Sequence, residues 1–153
     1  MYPQTHLLSG LAVGAVAQKL GYFSYSDTLI LTSLTVLLDI DHYIYFVCKY
    51  KTLSFFKAWQ AAVLKKEMGE RTAIHHALGF LLFTIFFIGI FFIDHKWALI
   101  LCLAYYIHIL FDYLPNDSHR VKFSLLKLSF RLSYYEIILD GIFLSLIIAL
   151  FFI

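Results

Sequence analysis

Five apolar stretches, at about 4–21, 26–48, 72–93, 96–114 and 134–153, take up most of this chain and leave little else to build a fold from. A bilayer hydrocarbon core of roughly 30 Å needs about 20 apolar residues per helix. Inside it only helices or closed barrels satisfy every backbone polar group. The stretches have the helical length, so the expected fold is all-α: a polytopic membrane bundle of about five transmembrane helices. With 61% hydrophobic and 14% charged residues, a soluble domain is excluded. The 153 residues leave no room for a second unit, so 1–153 reads as one transmembrane domain. A formal charge of +2 is too small for a nucleic-acid binder. Membrane lipids are the expected partners, no nucleic acid is expected, and the oligomeric state stays open.

The basic residues carry topology. Lys49, Lys51, Lys57, Lys65, Lys66, Arg71, Arg120, Lys122, Lys127 and Arg131 are ten of the twelve, and all lie in the connections 49–71 and 115–133. By the positive-inside rule both connections are cytoplasmic, which predicts an N-terminus inside, a C-terminus outside and five crossings of the cell (inner) membrane. In the first connection Phe55, Phe56, Trp59, Ala62 and Val63 recur at helical spacing opposite Lys57 and Gln60, as expected of an amphipathic helix lying in the interface. Pro115 to Ser118 stop the fourth helix. Val121 to Leu132 fits both a period of 2 and a period of 3.6. The N-terminus lacks a basic region and a cleavage site, so no removable signal is expected. Cys48 and Cys102 form no metal-type spacing and read as core thiols.

Ionisable groups in hydrocarbon cost at least ~2.5–3.5 kcal/mol on insertion scales and mark function by default. His6 opens the first helix; Asp39, Asp41 and His42 close the second; His75 and His76 open the third; His108 and Asp112 close the fourth; Glu136 and Asp140 open the fifth. All ten fall at cytoplasmic ends under a topology derived from Lys and Arg alone. Asp39 with His42 is an i,i+3 pair, and His108 with Asp112 and Glu136 with Asp140 are i,i+4 pairs, so each projects from one helical face. Thr28, Thr32 and Thr35 extend the Asp39 face as a polar stripe toward the bundle interior. His6, Gly10 and Gly14 share a face whose small residues admit a neighbouring backbone. Asp41 lies about 200° around an ideal helix from Asp39, so it joins them only if the helix loosens there. Imidazoles and carboxylates on facing helices are the ligands divalent metals use inside bundles, Zn²⁺ favouring nitrogen and Mn²⁺ or Fe²⁺ tolerating more oxygen. One such His would more often be a core residue tied to a carbonyl; ten groups at one depth point to chemistry. His95 and His119 read as surface histidines.

Four pieces, His6-Leu-Leu-Ser-Gly10, Leu-Leu-Asp39-Ile-Asp41-His42, Arg71-Thr-Ala-Ile-His75 and His108-Ile-Leu-Phe-Asp112, occur in an order that resembles the YdjM-type membrane-bound metal-dependent hydrolases. That family is similar in ligand types to zinc-dependent phospholipase C. The likeness spans residues 6 to 112; beyond it the match is hydrophobicity alone. Glu70 stands where the family pattern has a His, His76 where it has Ser, and Leu38 where it has Pro. Glu70 is either an oxygen ligand or a loop charge.

The resemblance implies a hydrolase with one or two divalent ions, Zn before Mn or Fe. His6, Asp41, His42, His75, His108 and Asp112 are the expected ligands. Asp39 is the expected general base or bridging carboxylate, and Arg71 either grips a phosphate through its planar fork or is one more inside charge. His76, Glu136, Asp140 and Glu70 are expected around the ligands, orienting them. A site at this depth suits a lipid-like substrate, a phosphoester with its tail in the bilayer. The alternatives are a cation or proton transporter, which would need polar groups through the outer leaflet as well, and a non-catalytic membrane subunit with a structural metal.

Overall fold

A computed structural model of the chain describes residues 3–61, 73–113, 120–125 and 128–152. Its helices are α1 (Pro3–Lys19), α2 (Tyr25–Leu37), α3 (Ile40–Tyr50), α4 (Phe55–Gln60), α5 (Ala77–Phe91), α6 (His95–Tyr113) and α7 (Tyr134–Phe152), with a 3-10 turn at Ala73–His75. Three segments are long and apolar enough to cross a membrane: Tyr25–Tyr50, His95–Tyr113 and Tyr134–Phe151. Ala77–Phe91 is apolar but shorter, about 22 Å at 1.5 Å per residue. The architecture is thus the expected membrane helical bundle.

Ser24 starts α2 with a capping box. Its side chain accepts from the Asp27 amide, and the Ser24 amide donates to Asp27 Oδ2 at 2.8 Å. Lys96 Nζ lies 2.8 Å from the same Oδ2, so α2 and α6 begin at one end and run parallel, with α1 antiparallel to both. The beginning of α1 and the ends of α2 and α6 therefore meet at the opposite end. Phe23, Leu31, Ile100 and Ala104 form the apolar core between them, while α7 packs on α1 and α5 on α6.

The ambiguous segment is resolved as a hairpin. Strands β1 (Arg120–Leu125) and β2 (Leu128–Ser133) pair antiparallel, with Arg120 opposite Ser133 and Leu125 opposite Leu128. The interfacial helix exists over Phe55–Gln60, where Ala58 and Ala61 pack on Phe46 and leave Phe55 and Phe56 uncovered. Ala62 and Val63 lie outside the described residues. Cys48 departs from expectation: it is exposed, because α3 buries only Phe46, whereas Cys102 is half-buried.

Candidate metal centre

The centre begins with a close helix contact. A Cβ on Gly10 would meet Thr35 Oγ1 at 2.5 Å, and one on Gly14 would meet Thr28 Cγ2 at 2.7 Å, so only glycine lets α2 lie this near α1. The contact is sealed by hydroxyls: Thr28 Oγ1 donates to the Gly14 carbonyl at 3.1 Å, and Thr35 Oγ1 lies 3.0 Å from the His6 carbonyl and 2.7 Å from that of Thr32. The threonine stripe does face the interior, with Thr28, Thr32 and Thr35 all buried. It fixes the height of His6 against α2.

The helix loosens at Asp39 although no proline is present. Asp39 N bonds Val36 O and His42 N bonds Asp39 O, both i→i+3 contacts that tighten the turn between α2 and α3. At 3-10 rather than α pitch, Asp41 moves from about 160° to about 120° away from the Asp39 direction. Asp41 then reaches the site, with Oδ2 3.4 Å from His75 Nδ1.

His75 arrives from the 3-10 turn. Two α6 tyrosines hold that turn by its backbone: Tyr105 Oη donates to the Ile74 carbonyl at 2.8 Å and Tyr113 Oη to the His75 carbonyl at 2.7 Å. Tyr105, His108 and Asp112 follow one another at i, i+3 and i+7, so one face of α6 supplies two site residues and a support for a third.

At the centre Asp112 meets three imidazoles. Its Oδ1 is 3.1 Å from His6 Nε2, and its Oδ2 is 2.9 Å from His75 Nε2 and 3.2 Å from His108 Nε2. Asp39 stands further off, Oδ1 3.8 Å from His108 Nε2 and Oδ2 4.0 Å from His6 Nε2. The His6 and His108 rings stack at 4.1 Å. Two ligand groups result, His6, Asp39, His108 and Asp112 in one and Asp41, His42 and His75 in the other, each with donor atoms within 4.8 Å of one another. Burial is graded: His6 and His108 are sealed, while the His42 side chain is 30% exposed. The site opens on the His42 side.

These seven residues are the six expected ligands plus Asp39. His76 is not brought in: it caps the start of α5 and is exposed. Glu136 is fully buried and closes a box with Ser133, its Oε2 accepting from the Ser133 amide at 2.9 Å. Asp140 lies half-buried on α7, and neither carboxylate falls in the two groups. Glu70 and Arg71 lie outside the described residues, as does His119. Sequence reading did not find the roles of Tyr105, Tyr113 and the Thr35 carbonyl. The α6 spacing of Tyr105 was the available signal for the first.

A family model described as the YdjM inner membrane protein matches residues 1–153. The chain belongs to this family. No curated protein and no solved structure matches it. Membership in the YdjM family supports a membrane location, as do the apolar spans, and agrees with the ordered pieces that opened the resemblance.

The donor set of this YdjM-family chain fits a divalent cation. His108 Nδ1 lies 2.9 Å from the Thr35 carbonyl, which can only accept, so Nδ1 carries the proton. In the neutral ring Nε2 then turns a lone pair toward Asp112 Oδ2 and Asp39 Oδ1, acceptor against acceptor, an arrangement that calls for a cation between them. Asp39 Oδ2 and His6 Nδ1 are buried with no hydrogen-bond partner among the described residues. Nitrogen and oxygen donors without sulfur suit Zn²⁺, Mn²⁺ or Fe²⁺.

Proposed function

We propose that this chain is a membrane-embedded, metal-dependent hydrolase that cleaves a phosphoester in a lipid or amphiphilic substrate at the cytoplasmic leaflet. The observation that carries the reading is the convergence of four imidazoles and three carboxylates at one end of a membrane bundle. The ten basic residues of the two long connections support a cytoplasmic position for that end, with the N-terminus inside and the C-terminus outside. Its location at helix ends brings a headgroup-level ester within reach while the tail stays in lipid.

When bound, a divalent ion lowers the pKa of water and polarises a phosphoryl oxygen. The chain's own residues do the rest. His6, His108 and Asp112 hold and orient the ligand atoms, and the Thr35 carbonyl keeps His108 in the tautomer that ligates. Asp112 is engaged by three rings, whereas Asp39 stands 3.8 Å from His108 and 4.0 Å from His6, and its Oδ2 has no hydrogen-bond partner among the described residues. Asp39 is therefore the carboxylate free to take the proton from the attacking water. Substrate enters past His42, the most exposed of the four imidazoles, and Arg71, which lies outside the described residues, is read from the sequence alone as the group that grips a phosphate oxygen.

Purified protein in lipid nanodiscs, supplied with Zn²⁺ or Mn²⁺ and a panel of lipid phosphoesters, tests this reading. Product release is expected, with Asp39→Asn retaining metal and losing about 10²–10⁴-fold in turnover. Ion flux in proteoliposomes with no product from any ester would replace it with the transporter.

A further inference from the structure

The seven residues do not form one coordination shell. His6, His108 and Asp112 surround one point with Asp39 beside it, and Asp41, His42 and His75 surround another. The first offers four nitrogen and oxygen donors, Asp39 included, and the second three, the number that catalytic zinc sites use while keeping a position open for water or substrate. The two sets come from different parts of the fold: α1 and α6 supply the first, and the start of α3 and the 3-10 turn the second. Building on the hydrolase reading, we infer that the centre holds two divalent ions side by side, one in each set.

The His75 ring joins the two sets. Its Nδ1 lies 3.4 Å from Asp41 Oδ2, within the second set, and its Nε2 lies 2.9 Å from Asp112 Oδ2, within the first. Ligands of the two ions are thus in direct contact. The ring pair His75 and His108, 5.3 Å between centroids, closes the border from the α6 side, and the His42 ring lies tilted beside His75 at 5.0 Å.

Charge favours the same count. Asp39, Asp41 and Asp112 are three carboxylates in a low-dielectric bundle, and the four imidazoles add no charge when they ligate through neutral nitrogen. One divalent cation leaves the centre net negative, and a negative centre repels an anionic phosphoester. Two leave it with a single positive charge, which attracts a phosphodiester and relieves the burial of the carboxylates. Two adjacent ions also clamp the attacking and leaving oxygens of an in-line displacement.

The test is metal stoichiometry, read without substrate so that it stands apart from activity. Full-length protein in nanodiscs, saturated with Mn²⁺ and freed of excess, is expected to carry two ions per chain with an exchange-coupled electron paramagnetic resonance spectrum. His42→Gln and His6→Gln should each leave one ion and an uncoupled spectrum, and the double variant should leave none. One ion per chain in the unaltered protein overturns the inference, whatever the variants do, and so does a pair without coupling. Two coupled ions with no ester cleaved would uphold the inference and reject the hydrolase reading instead.

Discussion

Gly10 and Gly141 are the same residue on two packed helices, and they do opposite things. A Cβ at Gly10 runs into Thr35, while one at Gly141 meets nothing within 4 Å, and the same holds for Gly89 on α5. The contrast extends to whole helices. Between α1, α2 and α6 the buried residues include Ser9, Thr28, Thr32, Thr35, His6 and His108, whereas α5 and α7 present Leu82, Ile85, Phe86, Ile138, Ile142 and Leu144 outward. Lipid tails solvate Leu and Ile as well as another helix does, so apolar side chains give these outer helices little reason to pack. Close backbone approach and hydrogen bonds hold the inner three together. The inner region is therefore where a geometry tight enough for a metal can be maintained.

The largest separation between the two regions should appear in metal binding. His108→Ala removes a ligand sealed between α2 and α6, and its Zn²⁺ affinity is expected to fall by more than the ~10–100-fold seen when a supporting partner is lost. Ile142→Ala, on the uncovered face of α7, should leave affinity unchanged. Chelator competition on detergent-purified protein reads both, and equal losses would erase the distinction.

Stability gives the next contrast, and it is one of sign. Gly10→Ala forces Thr35 or the α1 backbone to shift and should destabilise by about 1–3 kcal/mol. Gly141→Ala meets open space and removes helix-interior glycine, so it should stabilise by roughly 0.5–1 kcal/mol. Thermal or denaturant unfolding in micelles measures the pair, and changes of the same sign would show that α1 and α7 pack by the same rule.

The smallest effect sharpens the account of why α1 and α2 stay in register. Thr35→Val keeps the shape and the carbonyl that orients His108 but loses the hydroxyl shared with the His6 carbonyl. A loss of about 0.6 kcal/mol is expected, the mean for interhelical hydrogen bonds in lipid. Thr35→Ser should recover it, and Zn²⁺ affinity should fall modestly in Val alone. A Ser variant no better than Val would show that packing of the methyl group, and not the hydroxyl, sets the register.

Much of this was legible before any coordinates. Apolar length placed α6 at 96–114 against the observed His95–Tyr113, and α7 at 134–153 against Tyr134–Phe152. The i,i+4 spacing of His108 and Asp112 put both on one face, where they are found together. What escaped depended on contacts between distant segments. Asp41 joins the site through a turn built from i→i+3 bonds where no proline announces it, and His75 is aimed by tyrosines thirty or more residues away. The hairpin after α6 alternates Val121, Phe123 and Leu125 in a way that a helix also tolerates. Cross-strand pairing, which has no local signature here, decides for strands.

The central claim is that buried histidines and carboxylates at one end of the bundle hold metal through nitrogen and oxygen. X-ray absorption at the zinc edge of Zn²⁺-loaded protein tests it most directly. A shell of nitrogen and oxygen at about 2.0–2.2 Å with the multiple scattering of imidazole is expected, and that imidazole signal should vanish when His6, His42, His75 and His108 are all replaced by Ala. A sulfur shell at about 2.3 Å, or an ion surrounded by water alone, would contradict it.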